Sequence, residues 1–149
     1  MKKSFSLIGA LLGVGLLLMG AGCTNKLEGV WVSEKPIDGS IVELEFTKSR
    51  LIGTGERVDT ADTNKKSSFK VSMDYVVTQQ LQNVSQVAIS NPEVNVAGNL
   101  ADEKTQVQWQ EQGKAYLNRF NSFSFSVSGD GKTLTLNTAR TGEILFNRK

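Results

Sequence analysis

The chain has 149 residues, 39% of them hydrophobic, with 17 Lys and Arg against 15 Asp and Glu, one cysteine and no histidine. The missing histidine removes Ser-His-Asp and Cys-His arrangements and the usual zinc sites, and a lone cysteine removes an intrachain disulfide. A near-neutral balance leaves no electrostatic footprint for nucleic acid.

At the start of the chain, Lys2 and Lys3 precede an almost unbroken apolar stretch, Phe5 to Met19, and Gly20-Ala21-Gly22 lead into Cys23. That order predicts a secretory signal peptide with a small-residue cleavage site. With cysteine at the cut it resembles a bacterial lipoprotein signal, which implies that Cys23 is acylated and becomes the mature N-terminus. The pattern of that family favours a branched aliphatic residue three positions before the cysteine, where this chain has Gly20. Glycines at 9, 13 and 15 weaken the alternative of a permanent membrane helix.

The expected organisation is a signal peptide over 1–22, the lipidated cysteine and a short tether over 23–26, and one folded domain over 27–149. Lys2 and Lys3 are the only charges in the first 22 residues, so the remaining 127 residues balance at 15 basic and 15 acidic side chains. No polybasic stripe for anionic lipid follows from that balance, and membrane affinity would come from the acyl chains. Only Thr24, Asn25 and Lys26 separate Cys23 from Leu27, a reach on the order of 13 Å. The domain is therefore expected close to the extracytoplasmic face of the cell membrane.

From Leu27 onward, period-two alternation dominates, which predicts half-buried strands. Val42, Leu44 and Phe46 alternate with Glu43 and Glu45, placing the two carboxylates on a solvent face. Phe69, Val71, Met73, Tyr75 and Val77 mark a long strand, and Phe123, Phe125 and Val127 another that is interleaved with serines. Gly129-Asp130-Gly131 then predicts a hairpin turn into Leu134 and Leu136. After a break over 139–142, residues 143–148 form the last strand. Gly53-Thr54-Gly55 reads as a turn, because it lacks the third glycine of a dinucleotide fingerprint.

The stretch from 79 to 112 is harder to assign. Val87 and Ile89 suit a short strand that Pro92 breaks. Asn99 is placed to cap a helical turn near 99–104, whereas Val107 and Trp109, interleaved with Gln106, Gln108 and Gln110, favour a strand over 105–110. Eight or so antiparallel strands with regular turns predict an all-β meander closing as a barrel, with a sandwich as the alternative.

Leu27-Glu28-Gly29-Val30-Trp31 puts Gly-x-Trp at the opening of the first strand. This resembles the lipocalins and the short lipocalin-like (calycin-type) lipoproteins of Gram-positive bacteria. The resemblance spans the mature chain in length and strand order, but its motif is two residues. It implies an up-and-down barrel whose closed end is plugged by Trp31, with Gly29 allowing close packing. A basic residue from a late strand would lie over the indole, with Arg148 the first candidate and Arg140 the second.

For function, no catalytic constellation, cofactor or metal site is indicated. Asp59, Asp62 and Asn64 resemble a calcium loop faintly, with wrong spacing and no central glycine. The expectation is a non-enzymatic, membrane-anchored module that holds a small apolar or amphipathic ligand. Phe69, Met73, Tyr75, Trp109 and Phe125 are the candidate lining, with the Tyr75 hydroxyl and Trp109 indole as polar handles. The same residues equally describe a filled core. In that alternative the barrel is an interaction protein that engages an envelope or host partner through its surface.

Overall fold

The computed structural model describes residues 26–138 and 142–149. The signal segment, Cys23, Thr24, Asn25 and Arg140 lie outside the described residues. Eight strands follow in chain order: β1 (Gly29–Ser33), β2 (Val42–Phe46), β3 (Arg50–Val58), β4 (Lys66–Leu81), β5 (Val84–Gly98), β6 (Ser122–Val127), β7 (Thr133–Thr138) and β8 (Gly142–Arg148). One helix, α1 (Glu103–Arg119), lies between β5 and β6. Each strand pairs antiparallel with the next, and β8 returns to β1 with Trp31 opposite Arg148. The result is a closed eight-stranded meander, consistent with a lipocalin-like (calycin) fold.

The register carries the alternation into the barrel interior. Trp31, Leu44, Gly53, Val71 and Val94 stand in one row across five strands, and Phe46, Leu51 and Met73 in the next. Glu43 points the other way and its carboxylate meets the Lys149 ammonium at 3.0 Å. Buried Leu27, Trp31, Phe46, Tyr75, Phe125, Leu134 and Phe146 fill the end at which β1 begins. Phe46 meets both Tyr75 and Phe125 edge-on, with centroids 5.4 and 5.3 Å apart, an arrangement that adds to simple area burial.

At that end the Trp31 indole is fully buried and its Nε1 donates to the Leu27 carbonyl at 2.8 Å. The Arg148 guanidinium lies over its face, 4.2 Å from the ring centroid. The same guanidinium donates to the carbonyls of Gly131, Glu28 and Lys26 at 2.8, 3.1 and 3.2 Å. One planar fork thus ties the β6–β7 turn to the segment entering β1, which a lysine's point charge would not reproduce. Gly29 has φ +130°, and a Cβ there would stand 2.8 Å from Arg148 Nη1. Glycine is required for both reasons.

Four sequence expectations are corrected. The strand expected over 105–110 is the second turn of α1 and its neighbours. Its N-cap is Asp102, whose carboxylate accepts from the Thr105 amide at 2.8 Å. Asn99 instead bridges strands, accepting from the Lys66 amide at 2.9 Å and donating to the Asn64 carbonyl at 3.2 Å. Pro92 does not end its strand. Ser72 pairs with Glu93 and Asp74 with Ser90, so Met73 opposes both Asn91 and Pro92 in a β-bulge. A bulge is where a residue without an N–H fits a strand, and Asn91 takes the left-handed conformation and donates to Asp74 at 2.9 Å. Gly53-Thr54-Gly55 is likewise no turn but the middle of β3.

The helix completes the barrel wall. β6 pairs with β5 only at Val84–Ala88, so the upper half of β5 has α1 rather than a strand beside it. Gln110 Oε1 accepts the Val96 amide at 3.1 Å, and Gln106 Nε2 donates to the carbonyls of Gly98 and Ala101 at 2.8 Å. Two glutamine side chains therefore take over edge groups that a ladder would have satisfied. Gly113 lets the helix approach Val94, and Leu117 reaches the core. No residue of α1 is fully buried.

Candidate functional site

Opposite the Trp31 end, the strands open into a mouth bounded by the β1–β2 loop, the tops of β3 to β5 and the start of α1. The β1–β2 loop folds back as a small hairpin: Ile37 and Ser40 exchange backbone hydrogen bonds at 2.8 and 3.0 Å. Asp38 and Gly39 both have positive φ between them, as a tight two-residue turn requires. This turn sets half-buried Ile37 over the opening, packed against the core.

Beneath it lies a cavity of about 470 Å³ lined by Ile37, Ser40, Val42, Arg57, Phe69, Val96, Leu100 and Trp109, among others. It continues into a hollow of about 420 Å³ that shares Asp38, Arg57, Leu100 and Trp109. Its floor depends on β3. Leu51, Gly53, Gly55 and Arg57 share the inward face, and a Cβ at Gly55 would overlap the Phe69 ring. The missing side chain lets that ring lie flat on the neighbouring strand, a common reason for glycine inside a sheet. A groove of similar size over Val32, Glu43, Thr54 and Lys70 is on the outer face of the sheet and is no part of the interior.

Arg57 supplies the cationic group. It ends the inward row of β3, pairs across to Ser67, and forms no hydrogen bond or ion pair among the described residues. Ser67 Oγ accepts the Leu100 amide at 3.2 Å and holds the segment leading to α1 against β4. Two carboxylates stand near the rim. Asp38 lines the cavity, and Asp59 accepts from the amides of Ala61 and Asp62 at 2.7 and 3.3 Å, which holds its pKa below the usual range. Asp62 is similarly used as a turn acceptor for Asn64 at 3.1 Å.

The five candidate lining residues separate into two groups. Phe69 and Trp109 line the mouth cavity, although Trp109 does so from the helix and is 39% exposed. Met73, Tyr75 and Phe125 are buried in the filled part of the barrel. The Tyr75 hydroxyl donates to the Thr47 carbonyl at 2.6 Å, closing the β2–β3 turn at the far end from the mouth. Sequence reasoning missed Arg57, Ile37, Val42, Val96 and Leu100 as lining residues. The signal for Arg57 was its parity with Leu51, hidden by the two intervening glycines.

No family model, curated protein or solved structure matches the chain.

Proposed function

We propose that this protein is a non-enzymatic binding module which holds a small apolar or amphipathic ligand in the barrel mouth. The observation that carries this reading is the 470 Å³ cavity with apolar walls above a filled lower barrel. That volume falls in the range of small-molecule sites, which combine hydrophobic lining with a few polar groups. Asp38, Ser40, Arg57, Ser67, Ser68 and the Trp109 indole are the polar groups here. Among the described residues no serine of the cavity is hydrogen-bonded to a carboxylate, and the apolar lining supports binding as the reading.

The N-terminal sequence adds a location. With Cys23 acylated, the domain is tethered to the extracytoplasmic face of a membrane. Lys26 leaves the fold at the Trp31 end, so the mouth opens away from the tether. Capture from outside the membrane, rather than extraction from it, follows from that orientation. Native mass spectrometry of the full chain isolated from its membrane tests the reading. A mass excess beyond acyl groups and detergent that vanishes on denaturation is expected. A bare mass after expression in the natural host would contradict it and favour an interaction protein.

A further inference from the structure

The end opposite the mouth carries its own surface feature. β3 stops pairing with β4 at Arg50 and Asp74, while β4 runs on to Leu81 and turns through Gln82 and Asn83 into β5. The hairpin tip leaves Leu81 62% exposed beside its cross-strand partner Val84, which is 36% exposed. Val76 and Val77 are also exposed on the same strand. Hairpins more often finish in polar residues, and paired aliphatics at such a tip offer an apolar contact surface.

The course of the chain says what that surface meets. Lys26 Nζ donates to the Asn83 side chain at 3.4 Å, and Arg148 holds the Lys26 carbonyl. The first described residue is thus fixed beside the tip, and three residues further back lies Cys23, within about 10 Å even when fully extended. Turns at this end also collect Lys26, Lys48 and Lys132 against Glu28 and Asp130, while Lys149 is ion-paired with Glu43 at 3.0 Å. The Asp130 carboxylate accepts from the Ser128 hydroxyl and the Lys132 amide, which keeps it ionised. The lysines of these turns thus exceed their carboxylates by one, a slight basic bias at the end where the apolar tip lies.

We propose that this end is a bilayer-contacting surface, with Leu81 and Val84 inserted at the headgroup level of an anionic membrane and the lysines over the phosphates. It rests on the reading that Cys23 is acylated. The lipid anchor would then supply affinity, and the tip would fix the orientation of the barrel on the membrane. Apolar side chains flanked by lysines are the chemistry of interfacial attachment, and each lysine near an anionic surface adds electrostatic attraction.

The test uses the full acylated chain in vesicles of phosphatidylcholine and phosphatidylglycerol. Leu81→Cys and, as a mouth-end reference, Thr60→Cys are each labelled with an environment-sensitive fluorophore. Emission from position 81 is expected to shift to the blue and to fall by a factor of about two or more with a headgroup-level lipid quencher, while position 60 changes in neither respect. A protein that floats with the vesicles while position 81 behaves like position 60 overturns the proposal and leaves the anchor intact. A blue shift that the lipid quencher does not touch overturns it in favour of a protein partner, such as a second copy. A chain that does not float and whose Cys23 has an unmodified mass overturns both readings.

Discussion

The two ends of this barrel are built on opposite principles. At the closed end, Trp31, Phe46, Phe125 and Phe146 fill the interior and the Arg148 fork ties three carbonyls around the indole. At the mouth, Gly55 replaces a side chain on β3 beneath Phe69, the Arg57 guanidinium is unpaired among the described residues, and the wall beside β5 is a helix held through two glutamines. The contrast teaches where stability and binding reside. Apolar burial secures one half, which frees the other to keep a cavity and a wall without a continuous ladder.

The largest test of that contrast is at the plug. Trp31→Ala should destabilise by about 3–5 kcal/mol in denaturant unfolding, as large-to-small core changes do. Val96→Ala at the mouth should cost only about 1 kcal/mol. Equal losses would mean that the halves are not energetically distinct. Next in size, Gly55→Val should cost about 1–3 kcal/mol by driving the Phe69 ring from its bed. It should also shrink the cavity, so reduced ligand retention must accompany the lower melting temperature.

A smaller effect isolates the helix. Gln110→Ala removes the acceptor for the Val96 amide and should lower stability by about 1 kcal/mol. Its sharper readout is hydrogen exchange. The Val96 amide should exchange faster than that of Val87 in the wild type, and the gap should widen in the variant. Unchanged exchange at Val96 would show that α1 is not held through this bond.

The smallest effect is on pH. Asp59, Asp102 and Asp130 are held below the usual carboxylate range, chiefly by backbone hydrogen bonds for the first two and by the Ser128 hydroxyl for the third. A lowered folded-state pKa gives stability that is complete above the unfolded value and lost as pH falls through the folded one. Acidification from about pH 4 downward should therefore lower the melting temperature slightly. Asp102→Asn should lessen that acid loss, and an unchanged acid profile would contradict the role of the cap.

How far the molecule was legible follows the same division. Strict alternation in β2, β4 and β6 exposed the meander, because one face of each meets a packed core. The helix was illegible because the side it turns to the barrel is Gln106, Gln110, Gly113 and Leu117, almost without apolar residues. Val107 and Trp109, two apart, mimicked a strand instead. Phe69 and Trp109 stood out as aromatics, but the rest of the cavity did not. Its shape comes from the side chain missing at Gly55, where the Phe69 ring lies, and from a loop hairpin that alternation cannot foresee.

The most direct test of the central claim, that the mouth holds the ligand, compares two bulky substitutions by native mass spectrometry of the full chain. Val96→Trp fills the cavity from within, and Thr54→Trp places the same indole on the outer face of β3. Loss of the denaturation-labile mass excess in Val96→Trp, with its retention in Thr54→Trp and in the wild type, is the predicted result. Retention of the excess in Val96→Trp, with the fold intact, would contradict the account.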